Sequence, residues 1–418
     1  MPSARLNLSA LTLVMLSALL LLAARPAQAQ TETVLYDFCS QPNCSDGTGP
    51  QSGLASDSAG NFYGTTFEGG AYGYGTVFEL SPNGIGGWNE TVLYSFCPGG
   101  YQNCRDGVYP NGALIFDSAG NLYGMAGGGN YGWGEVFELS PTGTSWTETV
   151  LFSFANNGVS PVYPINGLIM DSAGNLYGEA EYSTQGAICD AGRRFGGAPG
   201  AVFELSPSGG NWSLQQIYTF CPADSRTYRG SASNGGLTMD TAGNIFGVGF
   251  DTVFEISPNG SGGWNGTEIH SFPNSVDAEY GRPVLDQAGN LYGTEWTGGT
   301  KPGSVYKLSP GATKWQATSL YRFKGGTDGA NPVAAVVFDA AGNIYSTTTA
   351  GGEYGDGTIF ELMAPAKGKS KYQEKVLWSF NGTDGYGGSS LILDNEGNFY
   401  GTAGGGYDYN GLVFEVTP

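Results

Sequence analysis

Apolar residues in this chain fall in short runs, broken at regular intervals by Gly, Asn, Asp and Pro. No stretch of the main body holds a 3.6-residue period. The breaks recur as phrases. Asp-x-x-Gly-Asn, followed by an apolar residue and usually Tyr-Gly, has its Asn at Asn61, Asn121, Asn175, Asn244, Asn290, Asn343 and Asn398. Val-Phe-Glu-Leu-Ser-Pro has its aromatic at Phe78, Phe137, Phe203, Phe254, Tyr306, Phe360 and Phe414. Glu-Thr-Val-Leu-Tyr-Ser-Phe ends at Phe38, Phe96, Phe154, Phe220, Phe272, Phe323 and Phe380. From Asn61 to Asn398 the six gaps give a mean period of about 56 residues, in the range of propeller repeats.

Each period predicts four strands. Strand A is the apolar run before the Asp, and the Asp-x-x-Gly-Asn segment is a tight hairpin turn in which Asp bonds backbone N–H groups. Strand B is the Asn-Leu-Tyr-Gly run. Strand C is Val-Phe-Glu-Leu, ended by Ser-Pro because Pro cannot continue a ladder. Strand D is the β-branched and aromatic Thr-Val-Leu-Tyr-Ser-Phe. Seven such sheets predict an all-β, seven-bladed β-propeller with four-stranded blades, forming a single domain over residues 31–418. The chain enters on a D phrase, Thr33 to Phe38, and ends on a C phrase, Leu412 to Val416. The N-terminal strand is therefore expected to complete the last blade and clasp the ring shut.

Composition agrees. Gly makes up 71 of 418 residues, and charged and aromatic residues are 13% each. That rules out coiled coils, and the absence of a three-residue Gly period rules out collagen. So many aromatics do not belong to a disordered chain.

The first 29 residues stand apart. Arg5, the uncharged apolar run from Leu11 to Ala24 and the Ala27-Gln28-Ala29 triplet have the order of a secretory signal peptide, with Gln30 as the expected mature N-terminus. The mature chain is then expected outside the cytoplasm, secreted or periplasmic, with no membrane span. Losing Arg5 and Arg25 takes the net charge from −20 to −22. Such a surface repels nucleic acid and anionic membranes and tolerates neutral glycans, cations and basic partners. Six cysteines in an exported chain read as disulfides rather than zinc ligands, because no Cys-x-x-Cys pair occurs. Loop position pairs Cys39 with Cys44, Cys97 with Cys104, and Cys189 with Cys221. His270 is the only histidine, which removes His-dependent triads and His metal clusters.

The three linked phrases resemble the Gloeo-Verruco (GloVer) tandem-repeat proteins of bacteria, and the resemblance spans roughly Thr31 to Pro418. It implies an exported repeat protein, often with a C-terminal anchor; here the sequence stops at Pro418, straight after a strand. The family supplies no catalytic residue or ligand to carry over.

Strand order puts the A–B and C–D turns on one face and the longer, unequal B–C and D–A loops on the other. Variable loops on a rigid scaffold are where binding usually resides. Acids recurring in every copy, Asp57 and Glu79 with their equivalents, read as scaffold. The uneven residues are more informative. Asp-Gly occurs in D–A loops at Asp46, Asp106, Asp328 and Asp384, leading into units 1, 2, 6 and 7, and the B–C loops of those units carry paired aromatics or acids. This arc reads as a sugar groove, since aromatic faces stack on sugar rings and carboxylates accept their hydroxyls. Tyr72, Tyr131 and Tyr354 recur like scaffold. The next variable position, holding Tyr74, Trp133 or Asp356, is the expected ligand contact, with Tyr407 and Tyr409 beside it.

The expected function is thus a non-enzymatic binding propeller for polysaccharide or an extracellular protein, acting as a monomer. The alternatives are a carbohydrate-active hydrolase or lyase using two carboxylates, and a structural envelope protein. No cofactor is expected; Ca²⁺ held among the carboxylates is a minor option.

Overall fold

The computed structural model describes residues 30–50, 52–183, 200–219, 235–249, 252–272, 281–296, 302–366, 369, 371–406 and 410–417. Among these the protein is all-β, interrupted by three 3₁₀ turns and no α-helix. Unit 1 supplies strands A to D as Ala55–Ser56, Phe62–Thr66, Thr76–Pro82 and Trp88–Ser95, paired in that order in one antiparallel sheet. Unit 4 (Leu237–Met239, Ile245–Val248, Thr252–Pro258, Trp264–Ser271) and unit 5 (Val284–Leu285, Leu291–Glu295, Ser304–Ser309, Gln316–Arg322) repeat this order.

Units 2 and 3 merge into one eight-stranded sheet. Their first strands, Val108–Phe116 and Val162–Met170, meet through a parallel pair of Gly167 with Ala113. In unit 6 the first strand is split into Ala330–Pro332 and Val337–Phe338, both paired with Ile344–Ala350. Unit 7 contributes Ile392–Leu393, Phe399–Ala403 and Leu412–Thr417. Its outer position is taken by the N-terminal strand Thr31–Asp37, antiparallel to Leu412–Thr417 with Thr31 opposite Thr417. The curled sheets make the fold β-propeller-like.

The A–B turn repeats nearly unchanged. Asp57 Oδ1 accepts the N–H groups of Ala59 and Asn61, and Oδ2 accepts Asn61 Nδ2 and the Tyr63 hydroxyl. Burial alone would raise the Asp57 pKa, but these donors together hold it below its usual value. Asp117, Asp171, Asp286, Asp339 and Asp394 follow suit. This is the scaffold role expected of the recurring aspartates.

The units are joined by aromatic pairs. Among the described residues, the Phe ending a D strand packs on the strand-C aromatic of the next unit: Phe96 on Phe137 at 5.2 Å between ring centroids, Phe154 on Phe203 at 5.1 Å, Phe323 on Phe360 at 5.0 Å. The same phenylalanines donate their N–H to the residue before strand C of their own unit, as Phe96 does to Gly75 O and Phe154 to Gly134 O. This packing explains the Gly of Tyr-Gly. A Cβ on Gly64 would stand 2.6 Å from Cζ of Phe78, closer than side chains approach.

Candidate ligand-binding face

The loops of the variable face are tied from unit to unit by backbone hydrogen bonds. Tyr109 N–H donates to Tyr74 O and Tyr163 N–H to Trp133 O, each at 2.8 Å. Asn331 N–H donates to Pro302 O at 2.8 Å and Gly387 N–H to Asp356 O at 2.9 Å. Every donor sits in the left-handed region, with φ from 53° at Tyr109 to 58° at Tyr163, Asn331 and Gly387. The position expected to face a ligand is therefore a link between neighbouring units.

The side chains follow their backbone. Tyr74 is half-buried, stacked on Tyr101 at 5.9 Å and edge-on to Tyr109 at 6.0 Å. Trp133 is half-buried against Tyr163 at 5.2 Å and packs on the core around Phe154 and Phe203. These rings belong to the inter-unit cores, contrary to the expectation of free loop tips. The first tyrosines are the open ones instead: Tyr72 is 48% exposed, Tyr131 59% and Tyr354 58%, joined by Tyr386 at 45%. Their recurrence reflects neither core packing nor burial.

Three of the Asp-Gly carboxylates are likewise turned inward. Asp46, only 1% exposed, accepts from the Tyr36 hydroxyl, the Ser40 N–H and hydroxyl, and the Gln41 N–H. Asp106 accepts from the Tyr94 hydroxyl and the Cys97 N–H, and Asp384 from Trp378 Nε1 and from Asn381 Nδ2 and N–H. Asp328 is half-buried and accepts from the Tyr321 hydroxyl and Lys324 N–H. The bonds these four carboxylates make shape their own loops. Asp356 is half-buried, beside Gly382. Tyr407 and Tyr409 lie outside the described residues.

Each Asp-Gly loop also sets its carboxylate near a strand-D glutamate of the following unit. Glu90 is pushed up to about 8 by burial and by the charge of Asp46, and Glu148 to about 8 by burial and by Asp106 and Glu135. Glu32 is pushed up to about 7 by burial and Asp384, and Glu374 to about 7 by burial and Asp328. In all four, Oε1 is closed off from solvent with no hydrogen-bond partner. Among the described residues no three His, Cys, Asp or Glu side chains gather where a metal ion could bind.

Disulfides join Cys39 to Cys44 and Cys97 to Cys104, with Cα atoms 4.0 and 4.7 Å apart. Both close within one D–A loop, as loop position implied. Cys189 and Cys221 lie outside the described residues. No described helix is long and apolar enough to cross a membrane.

A cavity of about 980 Å³ runs where the first strands of the units converge, and every unit contributes to its wall. Nearly half of that wall is Gly, Ala and Ser, and most of the rest is Leu, Ile, Val, Pro and aromatic side chains. Arg282 is the only charged side chain among the described lining residues.

The sequence profile of the Gloeobacter/Verrucomicrobia repeat matches residues 24–251 and 249–418. The chain belongs to the Gloeobacter/Verrucomicrobia repeat family. No curated protein matches the sequence. Among solved structures, this repeat protein is similar to a gluconolactonase from Xanthomonas campestris at 12% identity and TM-score 0.44, covering 95% of this chain and 92% of that one. It is similar to a protein from Lactobacillus plantarum at 13% identity and TM-score 0.48, covering 78% and 84%. A glucose dehydrogenase gives 11% identity and TM-score 0.42, covering 74% and 96%.

Two features of the Gloeobacter/Verrucomicrobia repeat chain escaped the reading of its phrases. The strand-D glutamates were hidden because they follow a strand pattern that usually carries exposed polar residues. Arg282 is visible only when the repeats are aligned four residues before the turn Asp.

Proposed function

We propose that the seven repeats form a seven-bladed β-propeller of four-stranded blades, a single domain over residues 31–418, exported behind a cleaved leader spanning residues 1–29. It acts as a monomeric, non-enzymatic binding scaffold for a polysaccharide or another cell-surface polymer. The observation that carries this reading is the row of exposed tyrosines, Tyr72, Tyr131, Tyr354 and Tyr386, on loops of units 1, 2, 6 and 7. Phenol rings held apart on a rigid scaffold offer stacking faces to successive sugar rings at little conformational cost. The loop aspartates fix the D–A loops, and backbone bonds such as Gly70 N–H to Cys44 O and Thr48 N–H to Glu68 O tie the D–A loop to the B–C loop carrying Tyr72, which supports a preorganised platform.

A hydrolase would use a carboxylate pair open to substrate. The raised glutamates of this arc have one oxygen sealed from solvent, which favours the binding reading. The test is affinity electrophoresis on a panel of soluble polysaccharides, with reducing ends measured in parallel. The triple variant Tyr72→Ala, Tyr131→Ala, Tyr354→Ala should lose retention on the polysaccharide that retards the wild type, with an unchanged melting temperature. Release of reducing ends would transfer the protein to the hydrolases, and equal retardation of the triple variant would end the tyrosine platform.

A further inference from the structure

Four residues before the turn Asp of each repeat, the chain carries Gly53, Ala113, Gly167, Gly236, Arg282, Ala335 and Ser390. Six of the seven are the smallest side chains available. A Cβ on Gly53 would lie 3.5 Å from Ser390 Cβ and 4.0 Å from Ala113 Cβ, and one on Gly236 would lie 3.8 Å from Arg282 Cβ. Ala335 N–H donates to Ser390 Oγ at 3.2 Å. At this position beside the cavity, residues of neighbouring units stand at van der Waals distance from one another.

Arg282 breaks that rule with one of the longest side chains. Its side chain is exposed within the cavity, and partial desolvation by the wall pushes the guanidinium pKa down. Even so an arginine stays protonated at neutral pH. No hydrogen bond or ion pair is made by it among the described residues. In a chain of net charge −20, no acidic side chain lies beside it among the described residues lining the cavity. The rest of the described wall is neutral, with Ser, Thr and Asn side chains and glycine backbone offering hydrogen bonds.

We propose that the cavity is a binding site for the carboxylate of an acidic sugar, alone or at the end of an oligosaccharide, with Arg282 as its anchor. The guanidinium fork matches a carboxylate with two parallel N–H···O bonds. The Ser, Thr and Asn side chains of the wall suit the hydroxyls, its apolar residues suit the faces of the sugar rings, and the volume admits more than one ring. The site adjoins the tyrosine platform at Tyr386, which lines the cavity, and is otherwise distinct from it: one depends on Arg282, the other on Tyr72, Tyr131 and Tyr354 at the loop surface.

Isothermal titration with D-galacturonate and digalacturonate, against D-galactose and digalactose, tests it. The acids should bind at least roughly tenfold more tightly than the neutral sugars, the difference a charged hydrogen-bonded pair makes. Arg282→Gln should remove that preference, and Arg282→Lys should retain part of it by keeping the charge without the fork. Both variants should melt as the wild type does. If the acids bind no better than the neutral sugars, or if Arg282→Gln binds them equally well, the assignment is overturned. The triple tyrosine variant should leave galacturonate binding untouched, so failure at one site is separable from failure at the other.

Discussion

Phe38 packs edge-on against Phe78, with ring centroids 4.9 Å apart. The first residue lies at the end of the N-terminal strand and the second in strand C of unit 1, so the contact reproduces the joint that links Phe96 to Phe137 inside the chain. Phe38 N–H also donates to Gly411 O, as Phe96 N–H does to Gly75 O. The two ends of the chain thus meet in unit 7 through the N-terminal strand and pass the packing on to unit 1.

That joint is testable at a single side chain. Phe38 is 2% exposed, and truncating a buried Phe costs about 3–5 kcal/mol. Phe38→Ala should lower stability as much as Phe154→Ala does in the interior, measured by denaturant unfolding. A Phe38→Ala protein with wild-type stability would show that the N-terminal strand is an ornament rather than a clasp.

The Tyr-Gly phrase gives a second test. Since a Cβ on Gly64 would meet Cζ and Cε1 of Phe78 at 2.6 and 2.9 Å, Gly64→Ala must displace the ring that joins unit 1 to Phe38. Overpacking of this kind costs about 1–3 kcal/mol. Gly64→Ala combined with Phe78→Leu should recover part of the loss by making room. Were Gly64→Ala alone to melt like wild type, the repeated Gly would need another explanation.

Repeating phrases made the strands, the turns and the joints legible, because each is dictated locally and appears seven times. Disulfides within one loop were legible for the same reason: Cys97 and Cys104 have no other partner nearby in the chain. The candidate site was less so. Whether Tyr72 or Tyr74 faces solvent depends on the backbone link from Tyr109 to Tyr74, which comes from the next unit and leaves no mark on the loop itself. Asp-Gly reads alike whether the carboxylate points outward or, as at Asp46, folds back on its own loop. Strand-D glutamates become chemically distinctive only when the loop leading into their unit brings an aspartate to them.

Asp106 separates those two uses of Asp-Gly. Removing its carboxylate strands the Tyr94 hydroxyl and the Cys97 N–H, which now bond to it at 2.7 and 2.9 Å. Leaving such donors unsatisfied costs about 1–3 kcal/mol each. Asp106→Ala should lower the melting temperature and sharpen proteolysis in the 97–107 loop, with Asp106→Asn intermediate. An Asp106→Ala protein of unchanged stability that had lost glycan binding would instead restore Asp106 to the ligand.

The glutamates set the pH dependence. Glu90 and Glu148 titrate near 8 in the folded protein, and Glu32 and Glu374 near 7, against 4.5 for the free side chain. Between those values the folded state binds protons that the unfolded chain has released, so stability falls as pH rises. The penalty is absent below about pH 4.5 and complete once the pH passes about 8. The turn aspartates act in the opposite sense: their pKa is held below 3.8, so their contribution is present above that value and lost as pH falls through the folded pKa. Stability should therefore peak on the acid side, between these two windows, and the melting temperature should drop by several degrees from pH 5 to pH 8. Net charge alone would bend the curve the same way, and the variant Glu90→Gln, Glu148→Gln separates the causes. An amide has no carboxylate to desolvate, so this variant should melt higher than wild type at pH 8 and lose much of the slope while the rest of the surface charge remains. A melting temperature that rises from pH 5 to pH 8, or a double variant with the wild-type slope, would show that these glutamates find compensation the buried Oε1 atoms do not have here.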